Sequence, residues 1–176
     1  MYGWGPRPGD GMPGTLFSFP NPVNESASRV VAGGVALTAV VAIATQQPWL
    51  SAVLAYGFLA RVATGPTLSP LGQLATRVVA PRLSRTPKLV PGPPKRFAQG
   101  IGAVISSAAA LCFFPGHLVV ATYSLLGLLA LAATLESAFA FCIGCRAFGL
   151  LMRWGVIPPE VCVACANLPA REHSSA

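Results

Sequence analysis

Residues 29–60 read RVVAGGVALTAVVAIATQQPWLSAVLAYGFLA and carry one formal charge, on Arg29. No polar stripe of helical period interrupts them, so a helix built from this stretch is apolar all round and suits hydrocarbon better than a protein–water boundary. About 20 residues cross about 30 Å of hydrocarbon. The Gln-Gln-Pro at 46–48 breaks the run, giving one span over Arg29–Gln46 and a second over Trp49–Ala63. Asn24, Glu25 and Ser26 precede the first and are suited to cap its free amides and complement its dipole.

The same pattern returns downstream. A third span is expected over Arg96–Phe114, a turn at Pro-Gly-His 115–117, and a fourth over Leu118–Cys145. Arg29 and Arg96 each open a span, a glycine follows four residues on (Gly33, Gly100), and a proline ends it (Pro48, Pro115). Such halves would form a direct repeat about an axis along the membrane normal. Small residues four apart, including Ala32 with Ala36 and Gly102 with Ser106, allow close helix approach where no water drives association. The expected fold is therefore all-α: a polytopic membrane protein of four transmembrane helices in two hairpins.

Between the hairpins, Ser69-Pro70 is a good helix start, and Leu71, Leu74, Val78 and Val79 share a face. Residues 69–80 read as a short interfacial helix, followed by a proline-rich basic connector attracted to anionic lipid. Composition agrees: 53% of the chain is apolar and 10% charged, which leaves no soluble enzyme core. The net charge of +7 is topological, because no Lys or Arg lies between Val30 and Ala60 or between Phe97 and Cys145. By the positive-inside rule the loops carrying Lys and Arg, and both termini, face the cytoplasm; nucleic acid is not an expected partner. The start of the chain lacks the charged-then-apolar pattern of a signal peptide. The expected organisation is a flexible cytoplasmic lead over 1–23, a membrane domain over 24–154 and a cytoplasmic tail over 155–176.

The residues NES at 24–26, RVATGPTLSPLG at 61–72, KRFAQGIG at 95–102 and FCIGC at 141–145 together resemble a bacterial integral-membrane family known as domain of unknown function 4395 (DUF4395). The resemblance covers about residues 20–150. It implies a four-helix protein of the bacterial plasma (inner) membrane, from a family whose members often sit beside thioredoxin-like or sulfurtransferase genes, with Arg61, Ser69, Pro70, Arg96, Phe97, Cys142, Gly144 and Cys145 as motif positions. No activity comes with it, and the tail lies outside the pattern.

The chemistry-bearing residues are the cysteines. Cys142 and Cys145 are one helical turn apart, a spacing at which a dithiol can close to a disulfide or attack one. If the fourth span ends at Gly144, Cys145 and Arg146 open a new short helix, its amide end favouring a thiolate on Cys145 with support from Arg146. Cys162 and Cys165 form a second pair, so the full pattern C-x2-C-x16-C-x2-C also matches a structural zinc site with Cys142, Cys145, Cys162 and Cys165 as ligands. In a reducing cytoplasm paired thiols are metal ligands or catalytic more often than structural disulfides. Cys112 reads as packing.

Glu136 is the one acid inside the spans, and an intramembrane carboxylate is costly unless paired or functional. Arg29, Arg61 and Arg96 lie at the same helix ends, so a clamp between one of them and Glu136 is expected. Three functions remain open: a membrane thiol protein in redox or sulfur handling, a non-enzymatic scaffold holding zinc, and a small transporter. The lipid bilayer, a thioredoxin-like or sulfurtransferase protein and a second copy of the chain are the expected partners.

Overall fold

The side-chain amide oxygen of Asn24 accepts from the Ser26 N–H at 2.9 Å, and the first helix starts there: α1, Glu25–Ala44. The computed structural model describes residues 21–79, 82, 88–162 and 165, which are mostly helical. Residues 1–20 of the expected lead, most of the basic connector, and the tail residues 166–176 with Arg171 and His173 lie outside the described residues. After α1 the chain turns through Gln46 at φ 54° and enters α2, Leu50–Thr64.

Ser69 caps α3, Pro70–Leu74, by accepting from the Gly72 N–H at 3.2 Å, and α3 runs into a π-helical turn over Ala75–Val79. Leu71 seats against α1 at Gly34, where an added Cβ would come within 2.6 Å of its side chain. Leu74 and Val78 stay exposed. The expected common face is thus divided: Leu71 packs into the bundle while its neighbours face outward. A two-residue ribbon follows, β1 (Val23–Asn24) antiparallel to β2 (Leu89–Val90), with Val23 opposite Val90. It ties the start of α1 to the start of α4, Gly92–Phe113.

Pro93 and Pro94 stand in the first turn of α4, where a missing N–H costs nothing. That helix therefore begins at Gly92, earlier than Arg96, and holds both Lys95 and Arg96 in helical register. α5, Val119–Phe139, ends earlier than expected because Ala140 adopts a left-handed conformation, φ 55°. α6, Ile143–Arg153, and a short 3-10 turn at Pro159–Cys162 complete the fold.

Among the described residues three helices, α1, α4 and α5, are long and apolar enough to cross a membrane; α2 is apolar but shorter. Sequence neighbours are not the closest packing partners in the first half: α1 lies chiefly along α5, and α2 along α4. Val35, Ala36, Ala39 and Ala42 of α1 present a flat small-residue face that receives Leu126, Leu129, Ala130 and Ala133 of α5. The first helix of each half thus packs on the second helix of the other, the reciprocal pairing that a direct repeat would produce. Buried hydroxyls are satisfied locally: Thr64, Ser106 and Thr122 each donate to the carbonyl four residues back.

Candidate dithiol site at the charged end of the bundle

The start of α1, the end of α2, the start of α4 and the end of α5 meet at one end of the bundle, and their charged side chains bind there. Arg29 donates to the Ser137 carbonyl from Nε at 3.1 Å and from a terminal nitrogen at 3.0 Å. The same nitrogen reaches the Ala138 carbonyl at 3.1 Å. This guanidinium satisfies carbonyls that the last turn of α5 leaves without helical partners, at the negative end of its dipole. Arg61 is 4% exposed; it donates to Gln99 Oε1 at 2.8 Å and to Ser69 Oγ at 3.3 Å, and lies 4.5 Å over the Phe58 ring. Arg96 donates to the Val62 carbonyl at 3.2 Å.

The three arginines expected to meet Glu136 are thus directed to other acceptors, and the cation on Glu136 is Lys95, with Nζ 2.6 Å from Oε1. The side chains of this pair are 11% and 20% exposed. Lys95 lies on the buried face of α4 with Gly102, Ala103, Ser106 and Ala109, whereas Arg96, the next residue, is exposed. On α5, Glu136 lies three residues beyond buried Ala133, near the end of the helix, and meets Lys95 of α4.

Immediately after α5 comes the cysteine pair. The N–H groups of Ala140 and Phe141 both return to the Leu135 carbonyl, closing α5 and turning the chain. Cys142 is extended, φ −89° and ψ 106°, and is the N-cap of α6. Its Sγ accepts from the Cys145 N–H at 3.4 Å, and its carbonyl accepts from the Arg146 N–H at 3.1 Å. Cys142 thus occupies the place that Ser or Asp usually holds at a helix start.

This arrangement differs from the expected one in the cysteine that stands at the helix start. The break falls at Ala140 rather than Gly144, so Cys142, and not Cys145, stands at the amide end of α6, and Gly144 is helical. Hydrogen bonding from the Cys145 thiol holds Cys142 below the ordinary thiol range, helped by the Cys145 N–H and by Lys95, against burial and Glu136. Donating to Cys142 pushes Cys145 well above that range, and burial adds to the effect. A charge on the pair is therefore favoured on Cys142 over Cys145. Arg146 lies 5.4 Å from the centroid of the Phe141 ring, while the cation acting on both sulfurs is Lys95.

Close packing of backbones sets the position of α6. A Cβ on Gly144 would fall 2.5 Å from Ala98 Cβ and 2.6 Å from Ala98 Cα, so the two helices meet there without a side chain between them. Phe148 continues the interface edge-on to Phe97, with ring centroids 5.6 Å apart. Ala98 is one turn beyond Lys95, so this approach sets the start of α6, with both cysteines, against the turn of α4 that carries the ammonium.

The second pair is placed differently. Cys162 and Cys165 are bonded to each other, with Cα atoms 5.2 Å apart, and a disulfide has no thiolate to offer a metal. Among the described residues no group of three or more His, Cys, Asp or Glu side chains is gathered as a metal ion requires, so the four-thiolate zinc set is not assembled. Cys112, Cys142 and Cys145 are free thiols.

A family model described as Domain of unknown function (DUF4395) matches residues 23–153. That segment contains Lys95, Glu136, Cys142 and Cys145 and ends before the second cysteine pair. No curated protein and no solved structure matches the chain.

Proposed function

Because the chain belongs to the DUF4395 family, to which its description attaches no activity, we propose from the site itself that this is a multi-pass membrane thiol protein in redox or sulfur handling. Cys142 is the nucleophile and Cys145 the resolving thiol. α1, α2, α4 and α5 are its four spans, with α6 in the interface at the charged end. At about 1.5 Å per residue α2 is roughly 22 Å long. The turn at Gln47–Trp49 extends it, and exposed Trp49 serves as an interfacial anchor. The charged end faces the cytoplasm of a bacterium, because the arginines and lysines gather there and the opposite turns carry none. The membrane domain comprises residues 24–154, flanked by cytoplasmic segments.

One observation carries the reading: a buried cysteine at a helix N-cap, its sulfur accepting the Cys145 N–H at 3.4 Å and influenced by a lysine, next to a second thiol that holds the proton. A thiolate so stabilised attacks a disulfide or persulfide sulfur, and a neighbouring thiol releases the product by closing the Cys142–Cys145 disulfide. The partner is a soluble thioredoxin-like or sulfurtransferase protein reaching the membrane surface. The zinc-scaffold reading needs four gathered thiolates and the transport reading needs polar groups at the midplane; neither has a comparable observation behind it.

The test is trapping in detergent-solubilised full-length protein, with a small aromatic disulfide as probe. Cys145→Ser should retain a stable mixed disulfide on Cys142, and Cys142→Ser should form none at Cys145 at neutral pH. Equal labelling of the two variants, or no labelling in either, would refute the assignment.

A further inference from the structure

The cysteine pair needs somewhere to send a proton. In resolving a mixed disulfide Cys145 must become a thiolate, yet it is half-buried and its hydrogen-bonding partner Cys142 has by then been consumed. Lys95 comes from α4 and Glu136 from α5, joined at 2.6 Å, and Lys95 lies one turn before Ala98, which meets the start of α6 at Gly144, so the ion pair stands beside the thiols and its charges act on both sulfurs. Arg96, next on α4, donates to the Val62 carbonyl. Arg61 from α2 is held by Gln99 and Ser69 and is near enough to Glu136 for the two charges to influence each other. Arg29 from α1 holds the Ser137 and Ala138 carbonyls, and Arg146 lies over Phe141.

We propose that Glu136, held by Lys95, is the proton acceptor for Cys145, so that the ion pair is part of the thiol chemistry as well as a clamp between α4 and α5. The inference rests on the dithiol reading above and adds the route of the proton. In the first step the Cys142 thiolate attacks a partner disulfide; a Cys142–partner bond forms, the partner's S–S bond breaks, and its second sulfur leaves as thiolate and takes a proton from water. In the second step Cys145 gives its proton to Glu136 and its sulfur attacks Cys142 Sγ. The Cys142–Cys145 bond forms, the Cys142–partner bond breaks, and the partner leaves as a thiolate. The partner disulfide is reduced by two electrons and the dithiol is oxidised by two.

Electrostatics favours this exchange. Before it, the Lys95 ammonium faces a carboxylate; during it, the carboxylate becomes neutral and the same ammonium faces a forming Cys145 thiolate. One negative charge moves between two sites beside one fixed cation, so no additional uncompensated charge is created in a poorly solvated place, where such a charge is most costly. Lys95 is a positioning residue in this scheme. It orients the carboxylate and balances whichever group carries the charge.

The test separates the two steps with a chromogenic aromatic disulfide added stoichiometrically to full-length protein carrying Cys112→Ser, Cys162→Ser and Cys165→Ser. The first thiol released reports attack by Cys142, and the second reports resolution by Cys145. Glu136→Gln should slow the second release by roughly 10²-fold at neutral pH, the lower end of general acid–base effects, and raising the pH should recover it. The first release should not be slowed, because Glu136 opposes the Cys142 thiolate, and Glu136→Asp should recover part of the second. Lys95→Met combined with Glu136→Leu leaves no orphaned charge and provides a folded variant lacking the acceptor; loss of Lys95 should slow the first release somewhat and the second more, with alkali recovering the second. A second release in these variants equal to that of the parent, or both releases slowed alike with no recovery at high pH, would overturn the proton-acceptor assignment. Failure of the parent to release any first thiol would refute the dithiol reading instead.

Discussion

Gly144→Ala tests whether the approach of α6 to α4 governs the thiol pair. The added Cβ would lie 2.5 Å from Ala98 Cβ and 2.6 Å from Ala98 Cα, whereas ordinary van der Waals separation starts at 3.4 Å. Ala98 sits on a long helix packed against α2 and α5, so the start of α6 must yield, by about 1 Å. Overpacking of this kind costs about 1–3 kcal/mol. The same retreat draws Cys142 away from Lys95. The attraction between the two charges weakens with separation, so the thiol midpoint rises. The assay is the pH dependence of Cys142 alkylation in a background lacking the other cysteines, alongside thermal unfolding in detergent. Ala98→Gly removes the methyl that the new side chain meets first and leaves the backbone of α4 in its way. Combined with Gly144→Ala it should therefore restore part of the loss and give a coupling energy beyond the sum of the single changes. A Gly144→Ala protein with wild-type thiol midpoint and stability, or additive single effects, would refute this account of how the site is positioned.

Three further outcomes follow from the geometry. Arg29→Ala removes a charged donor from two carbonyls at the end of α5 and should lower stability by about 1.5–3 kcal/mol in denaturant titration, with Arg29→Lys recovering part. Ser69→Ala removes the cap of α3 and leaves buried Arg61 with one acceptor fewer, for a loss of about 1 kcal/mol read by thermal unfolding. Because the fold holds Cys142 below the ordinary thiol range, its thiolate adds stability that is full above the unfolded thiol midpoint and fades as pH falls through the lowered value. The stability gap between wild type and Cys142→Ser should therefore widen between those two pH values, and a gap that narrows as pH rises would contradict the placement of the charge.

Individual residues show where the amino-acid sequence was sufficient. The caps at Asn24 and Ser69, the turns at Pro48 and Pro115 and the apolar runs of α1, α4 and α5 are legible because each depends on neighbours within a few residues. The end of α5 was misplaced because Ala140 takes a left-handed conformation that alanine seldom adopts, while Gly144, the expected breaker, serves close packing. That shift of the helix boundary moved the amide end from Cys145 to Cys142. Spacing did not separate Lys95 from Arg96: they stand seven residues before Gly102 and Ala103, both buried in α4, and only the fold buries Lys95 against Glu136 and leaves Arg96 exposed.

The sequence alone determined the helical, hydrocarbon-suited character of the chain and its family, because composition, period and short-range motifs are local properties. Tertiary structure decided that α1 pairs with α5 and α2 with α4, that Lys95 rather than an arginine holds Glu136, and that this pair lies beside the two thiols. Those interactions join residues about 40 or more positions apart. Several cations were available to Glu136, and the way the helices pack selects among them.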